Sequence, residues 1–370
     1  MNLLLSLTEQ CNLRCSYCYY KVSQADRSLV MSDDILEKAI LVALERTIKL
    51  KHDFFNITFF GGEPTLRMDS IRKGVRYAKR MVKERRDELP SGFKLAFSVN
   101  TNGTLLDKEK IAFFKREKFR IYLSLDGSAA RHNISRKKED GSGSFADIAP
   151  HIPELIKMDT IVLSVITRRN IRGLAKSIRW IMEQGFEKVA TGVDFDGKWT
   201  GEEMDKLALE YQKLALFWLE QKRKDSPFYL GTIQDKITLN VLGLRQRYST
   251  CMIFKGGLGV ATNGNIFPCS RFITSKEDAK YVLGNVLDPK SRIFKNPVAK
   301  DVSCFLKSDK PECEGCGIRY RCDAHECGCT AFYTTGSIHG VSAEVCTHER
   351  ILAAICDDAV AKFQAEGGLF

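Results

Sequence analysis

Short apolar runs alternate with helical spacings through the first two hundred residues. Asn2 to Thr8, Phe54 to Phe60, Lys94 to Asn100, Arg120 to Leu125, Thr160 to Thr167 and Lys188 to Val193 read as strands. Helical patterns fall between them. The first is well marked: Ser32 stands as its N-cap, Asp33 and Asp34 suit the positive end of the helix dipole, and Ile35, Leu36, Ala39, Ile40 and Ala43 line one side. Six strand-plus-helix units predict an α/β fold, a parallel sheet curled into a partial (β/α)6 barrel with its chemistry at the carboxyl ends of the strands.

From about Thr200 to Tyr248 the pattern turns helical, and Leu207, Tyr211, Leu214, Phe217 and Trp218 form an apolar stripe of the kind that packs into a core. After residue 250 the regular spacing ends. Gly256-Gly257 and Asn263-Gly264-Asn265 mark turns around Leu258 to Ala261 and Ile266-Phe267, which predicts a hairpin with Cys251 and Cys269 at its ends. The expected organisation is a barrel over 1–200, a helical bridge over 201–250 and a cysteine-rich domain over 251–370.

Composition narrows the class. At 370 residues, with 44% hydrophobic and 28% charged residues, the chain can bury a sizeable core and exceeds the usual single domain. No apolar run approaches the roughly 20 residues that cross a bilayer, and no secretion signal opens the chain, so a cytoplasmic protein without a membrane partner is expected. In that setting thirteen cysteines read as metal ligands rather than disulfides. The formal charge of +11 counts them as neutral, and ligation as thiolates would lower it. The basic runs Lys83-Glu84-Arg85-Arg86 and Arg136-Lys137-Lys138 lack the interleaved aromatics of a nucleic-acid surface, so no nucleic-acid partner is expected.

The most telling run follows the first strand: Cys11-Asn-Leu-Arg-Cys15-Ser-Tyr17-Cys18. Three thiolates from one tight loop hold three corners of a cluster and leave one metal position open, whereas a closed zinc site takes four ligands, usually as two pairs. A redox-sensitive loop or a zinc knuckle is the plainer alternative. With Tyr17 in the aromatic slot, the run resembles the radical S-adenosylmethionine (SAM) superfamily, whose open iron binds the amino and carboxylate groups of SAM.

Further strand ends extend the resemblance. Gly61-Gly62-Glu63-Pro64 could be only a tight turn before a helix, but it is identical to the motif with which this superfamily holds the SAM amine. Asn100-Thr-Asn-Gly-Thr104 and Ser124-Leu-Asp-Gly127 resemble its peptide- and protein-modifying branch. The resemblance implies that Tyr17, Gly61, Gly62, Glu63, Asn100, Ser124 and Arg136 form the SAM site around the Cys11, Cys15 and Cys18 cluster. Each polar residue among them could equally be a cap or a turn former.

Beyond residue 250, Cys251 and Cys269 are followed by Cys313-x2-Cys316-x5-Cys322, then Cys327, Cys329 and Cys346. A zinc ribbon is the alternative for the Cys-x2-Cys pair. The arrangement resembles the SPASM domain, which implies two auxiliary [4Fe-4S] clusters and so three in all. Position by position, Cys251, Cys269 and either Cys327 or Cys329 would serve the first. Cys313, Cys316, Cys322 and Cys346 would serve the second. The family's next cysteine follows after three residues, whereas Cys327 and Cys329 follow Cys322 after four and six. Which of the two ligates, whether His325 intrudes and whether the first auxiliary cluster keeps an open iron are therefore left open. Cys304 and Cys356 match no family ligand and are expected to be structural.

The resemblance implies reductive cleavage of SAM to a 5′-deoxyadenosyl radical and oxidation of a peptide or protein, with flavodoxin or ferredoxin as the reducing partner. Thioether or carbon–carbon crosslinking of a ribosomally made peptide is the expected reaction. Anaerobic sulfatase maturation to formylglycine ranks second, because the acid that follows the second hairpin cysteine in those enzymes is replaced here by Ser270-Arg271. Asp194, Asp196 and Arg271 are weak catalytic candidates. The first strand starts at residue 2, so no leader-capturing domain is expected before it, and a precursor would be bound by a separate protein or by the barrel mouth itself. A non-catalytic iron–sulfur electron carrier is the alternative from another class.

Overall fold

The computed structural model describes residues 1–20, 28–243, 257–276, 279–288, 293, 295–307 and 310–368. Ten strands form one sheet: β1 (Asn2–Ser6), β2 (Phe54–Phe60), β3 (Lys94–Thr101), β4 (Arg120–Ser124), β5 (Thr160–Ile166), β6 (Lys188–Val193), β7 (Tyr229–Leu230), β8 (Leu258–Val260), β9 (Asn265–Phe267) and β10 (Gly284–Asn285). Its order is β10-β9-β8-β1-β2-β3-β4-β5-β6-β7. β1 through β6 are parallel and adjacent in chain order. No pairing joins β1 to β6, so the sheet stays open as a partial barrel does.

The crossovers carry α1 (Asp33–Lys49), α2 (Met68–Glu84), α3 (Lys108–Arg116), α4 (Ala129–Ser135), the single turns α5 (Phe145–Ile148) and α6 (Ile152–Leu155), and α7 (Leu174–Glu183). α1 begins as its sequence predicts. Ser32 Oγ accepts from the Ile35 amide at 3.3 Å, and Ile35, Leu36, Ala39, Ile40 and Ala43 are buried. Because strand side chains alternate in direction, Leu3 and Leu5 join Phe55, Ile57 and Phe59 in the main core, while Leu4 faces the other way and packs with Phe267 and Cys269.

The stretch expected as a helical bridge is α8 (Gly201–Arg223), the two-residue β7 and α9 (Gly231–Val241). β7 pairs with β6, so this stretch also extends the sheet edge. The predicted hairpin is present as antiparallel β8 and β9. β8 also pairs in parallel with β1, Leu3 opposite Leu258 and Leu5 opposite Val260, which makes the cysteine-rich region a continuation of the barrel sheet.

The chain ends in α10 (Pro297–Lys307), the single turn α11 (Asp323–Glu326), α12 (Gly328–Thr335) and the long α13 (Ala343–Ala365), which packs against α8 and α9. Polar contacts fasten it there. Tyr211 Oη and His348 Nε2 are 2.8 Å apart, the buried Lys236 ammonium donates to Glu349 at 2.6 Å, and Arg321 donates to both Asp357 oxygens at 2.7 and 2.6 Å.

Candidate active site and metal centres

The loop after β1 is held by main-chain bonds on two sides. Arg14 and Ser16 donate their amides to the carbonyls of Lys137 and Ser135 at 2.6 and 3.0 Å, while Gly62 and Glu63 donate theirs to Thr8 and Gln10 at 2.8 Å each. The two glycines have a steric reason to be there. A Cβ at Gly61, where φ is +136°, would stand 2.3 Å from the Thr8 carbonyl oxygen, and one at Gly62 would stand 2.0 Å from that of Gln10. The Cys11 thiol meets N–H donors from Leu13 at 3.4 Å and Asn102 Nδ2 at 3.9 Å. Burial pushes the Cys11 thiol up to about 12, with Glu63 adding to it, and the Cys15 thiol up to about 11 by burial against the opposing Arg136 charge.

Glu63 is tied to its own chain. Its buried carboxylate accepts from the Thr65 amide at 3.0 Å, Thr65 Oγ1 at 2.6 Å, Thr101 Oγ1 at 2.8 Å and the Asn102 amide at 2.7 Å. Burial raises its pKa and these bonds oppose the rise. Three of these donors reach one oxygen and one reaches the other, so the side chain joins the end of β3 to the turn after β2.

Arg136 likewise faces inward. It donates through Nε and Nη2 to the two Asp126 oxygens at 3.0 and 3.1 Å and stacks on Tyr17, whose hydroxyl donates to Asp126 at 2.9 Å. Burial disfavours the Arg136 charge, but Asp126, Tyr17 and Cys15 more than offset it. Ser124 and Asn100 stand half-buried at the carboxyl ends of β4 and β3. Sequence reasoning passed over Asp126 and Asn102 although both lie inside the two motifs it quoted. Asn102 Nδ2 also donates to Asn12 at 2.9 Å, which ties the β3 end to the cysteine loop.

In the C-terminal region, Cys327 and Cys329 sulfurs are 3.4 Å apart and Cys329 is within hydrogen-bond reach of Cys269. Cys329 therefore meets Cys269 directly and Cys327 adjoins it through Cys329, where the spacing offered a choice between them; Cys251 lies outside the described residues. Cys313 lies in the field of Cys316 and Cys346, and Arg350 lies in that of Cys346, Cys316 and Cys322, so these four cysteines are neighbours, although among the described residues no three His, Cys, Asp or Glu side chains converge closely enough to hold a single metal ion. His325 is buried beside them on α11. Cys356 is fully buried, but Cys304 is exposed, unlike the packed thiol expected.

Between the loop and the first of these groups stands Arg271. Its guanidinium lies 5.1 Å from the ring centres of both Tyr19 and Tyr333 and donates to Asp196 at 3.3 and 3.4 Å. Asp194 is close by at the end of β6. Burial and the neighbouring Asp196 push its carboxyl above the usual range, with Arg271 opposing. All three weak catalytic candidates thus meet at the mouth of the sheet, next to the residue that follows Cys18.

Comparison with known proteins settles the family. The radical SAM superfamily profile matches residues 5–208, more than half of the chain. This chain belongs to the radical SAM superfamily. The SPASM iron–sulfur cluster-binding profile matches residues 251–317. The cysteine-type anaerobic sulfatase-maturating enzyme of Clostridium perfringens is 26% identical over 294 residues, which cover 75% of each chain. Among solved structures, native anSMEcpe with bound AdoMet superposes over 98% of both chains with a TM-score of 0.79 at 21% identity. Streptococcus suis SuiB bound to S-adenosylmethionine covers 93% of this chain and 76% of its own, with a TM-score of 0.62 at 14% identity. These structural likenesses establish the shared fold.

A radical SAM enzyme with a SPASM domain uses SAM and iron–sulfur clusters, and the residues present suit them. Three thiols rise from one loop, and amide donors approach Cys11 as they do cluster thiolates. Buried thiols pushed up to about 12 and 11 stay protonated unless a metal takes the proton's place. None of the described helices is long and apolar enough to cross a membrane.

Proposed function

We propose that this radical SAM enzyme oxidatively modifies a peptide or protein, and that the modification is a thioether or carbon–carbon crosslink in a ribosomally made peptide. Three [4Fe-4S] clusters serve it, on Cys11, Cys15 and Cys18, on Cys251, Cys269 and the Cys327/Cys329 pair, and on Cys313, Cys316, Cys322 and Cys346, with domains divided near residues 200 and 250. When bound, the first cluster and SAM supply a 5′-deoxyadenosyl radical that takes a hydrogen atom from an unactivated carbon.

The protein's own residues orient the reactants. Gly61 and Gly62 let main chain come close to the cofactor, Asn100 and Ser124 face it from neighbouring strand ends, and Tyr17 with Arg136 steadies the cysteine loop from below. Asp194 is placed to receive a substrate proton. A flavodoxin- or ferredoxin-type donor supplies the electron, and a separate leader-binding protein can present the peptide.

The observation that carries crosslinking is Arg271. Two residues after Cys269, on the side facing Tyr19, the chain presents a guanidinium already paired with Asp196. Its charge favours a substrate thiolate at the mouth, and Ser270-Arg271 stands where sulfatase maturases would carry an acid. Formylglycine formation is the second reading. Similarity to sulfatase maturases over most of the chain supports it, as does Asp194, whose raised pKa makes it a better base than an ordinary carboxylate.

The test is anaerobic incubation of reconstituted, reduced enzyme with SAM and two peptides, a short precursor encoded beside its gene and a cysteine-bearing sulfatase peptide. We expect 5′-deoxyadenosine together with loss of two hydrogens from the precursor, in fragments that no longer separate in tandem mass spectrometry. A product trapped by a hydrazide only from the sulfatase peptide would replace crosslinking with formylglycine formation.

A further inference from the structure

Lys310 is only 4% exposed, yet its ammonium forms no salt bridge among the described residues. It donates to the carbonyls of Ala324 at 2.9 Å and Gly340 at 2.8 Å and lies 5.7 Å from the Phe305 ring centre. Phe305 packs in the apolar cluster that holds Cys269 and Cys329, with Cys327 against it. Ala324 packs in the cluster that holds Cys322, with Cys346 against it. The Lys310 carbonyl in turn accepts from the Cys313 amide at 2.9 Å. The side chain therefore ends where the two cysteine groups meet.

An ammonium buried without an anion is strongly unfavourable. Carbonyl oxygens satisfy two of its donors but supply no net charge. Burial therefore lowers the Lys310 pKa, and the groups that oppose it are, in order, Cys313, Cys327 and Cys322, then Glu312. Two of those thiols belong to one group and one to the other.

We propose that Lys310 is a fixed positive charge shared by the two auxiliary cluster sites, placed to raise the reduction potential of both. This rests on reading the two cysteine groups as cluster ligands. Each one-electron reduction makes a cluster one unit more negative, and a cation held in a dry surrounding favours that form at both sites together. Lys310 acts through the clusters and not on the reacting atoms, so it is a positioning residue for charge.

The experiment uses the full chain, reconstituted and assayed for iron and labile sulfide, with wild type, Lys310→Met and Lys310→Arg followed by EPR-monitored redox titration. In Lys310→Met both auxiliary couples are expected to become harder to reduce, with about a tenfold lower reduced-to-oxidised ratio at a set potential, about 59 mV for a one-electron couple. The SAM-binding cluster should stay where it is, and Lys310→Arg should keep both auxiliary couples near wild type. Unmoved potentials in a fully loaded Lys310→Met, or a shift confined to one auxiliary cluster, would overturn the proposal. Should that variant fail to fold or load, wild type labelled with 15N-lysine decides: weak lysine coupling is expected in the reduced spectra of both clusters, and its absence from either removes the shared charge. A wild-type protein that takes up iron only for its N-terminal loop would defeat the cluster reading itself, and this proposal with it.

Discussion

The N-terminal cysteine loop and the C-terminal cysteine groups are built on different principles. Main-chain hydrogen bonds to the 135–137 and 61–63 segments pin the loop, and Glu63 and Asp126 satisfy the donors beneath it. Apart from Cys346 at the start of α13, the C-terminal groups hang on single turns and short segments, with small apolar clusters and the buried cations Lys236 and Lys310 for support. A site framed by sheet and backbone bonds keeps its shape without its metal. A site framed by short turns draws much of its folding energy from the metal.

Removing iron with a chelator should produce the largest contrast. Hydrogen exchange followed by mass spectrometry is expected to rise steeply over 311–346 and to change little over 1–18 and 54–63. Equal loss of protection in the two regions would erase the distinction.

Breaking one buried ion pair in each region sharpens it. Asp126→Asn strands Arg136 and should cost about 3–5 kcal/mol in denaturant titrations at pH 7, while Glu349→Gln leaves Lys236 only Asp323, at 3.6 Å, among the described carboxylates and should cost less. Only Glu349→Gln should also lower auxiliary iron, because Glu349 accepts the Asp323 amide beside Cys322 at 2.8 Å. The pH dependence follows from direction. Burial would raise the Glu349 carboxyl, but His348 and Lys236 hold it down at about 2. Its contribution is therefore complete above the unfolded value of roughly 4.3 and is lost as pH falls toward about 2, so the gap between wild type and Glu349→Gln should close across that window. A gap that persists at the acid end would place the stabilisation elsewhere.

Glu63→Gln should have the smallest effect. An amide in place of a carboxylate oxygen turns a donor toward the Asn102 amide or the Thr65 donors, at a cost of about 1–3 kcal/mol. SAM binding, measured by calorimetry, should weaken only as far as the loop moves. Complete loss of binding in a folded Glu63→Gln protein would restore a direct contact between the Glu63 carboxylate and the SAM amine.

What could be read from the chain followed locality. The spans of β2 and β6 match their apolar runs, and α1 starts at its expected cap, because alternation and capping are properties of neighbouring residues. The pairing of β8 with β1 joins residues with more than two hundred others between them and leaves no local pattern. The bonds from Thr101 and Asn102 to Glu63 were hidden for a similar reason, since their donors lie about forty residues further along the chain. The Cys327/Cys329 doublet gave two spacings that broke the family pattern, and only the fold of α12 shows Cys329 meeting Cys269 with Cys327 beside it. Lys310 carried no signal at all, because a lysine beside a proline reads as surface.

The pairing of β8 with β1 also sets a schedule for biosynthesis. Leu3 leaves the ribosome roughly 250 residues before Leu258, its partner, a delay of about 12–50 s at ordinary elongation rates. Through that interval β1 can pair with β2 but keeps its other edge bare, an open template for any extended chain nearby. Whatever shields that edge in the cell, whether a chaperone or the speed of translation itself, governs how much of this protein lives to receive its iron.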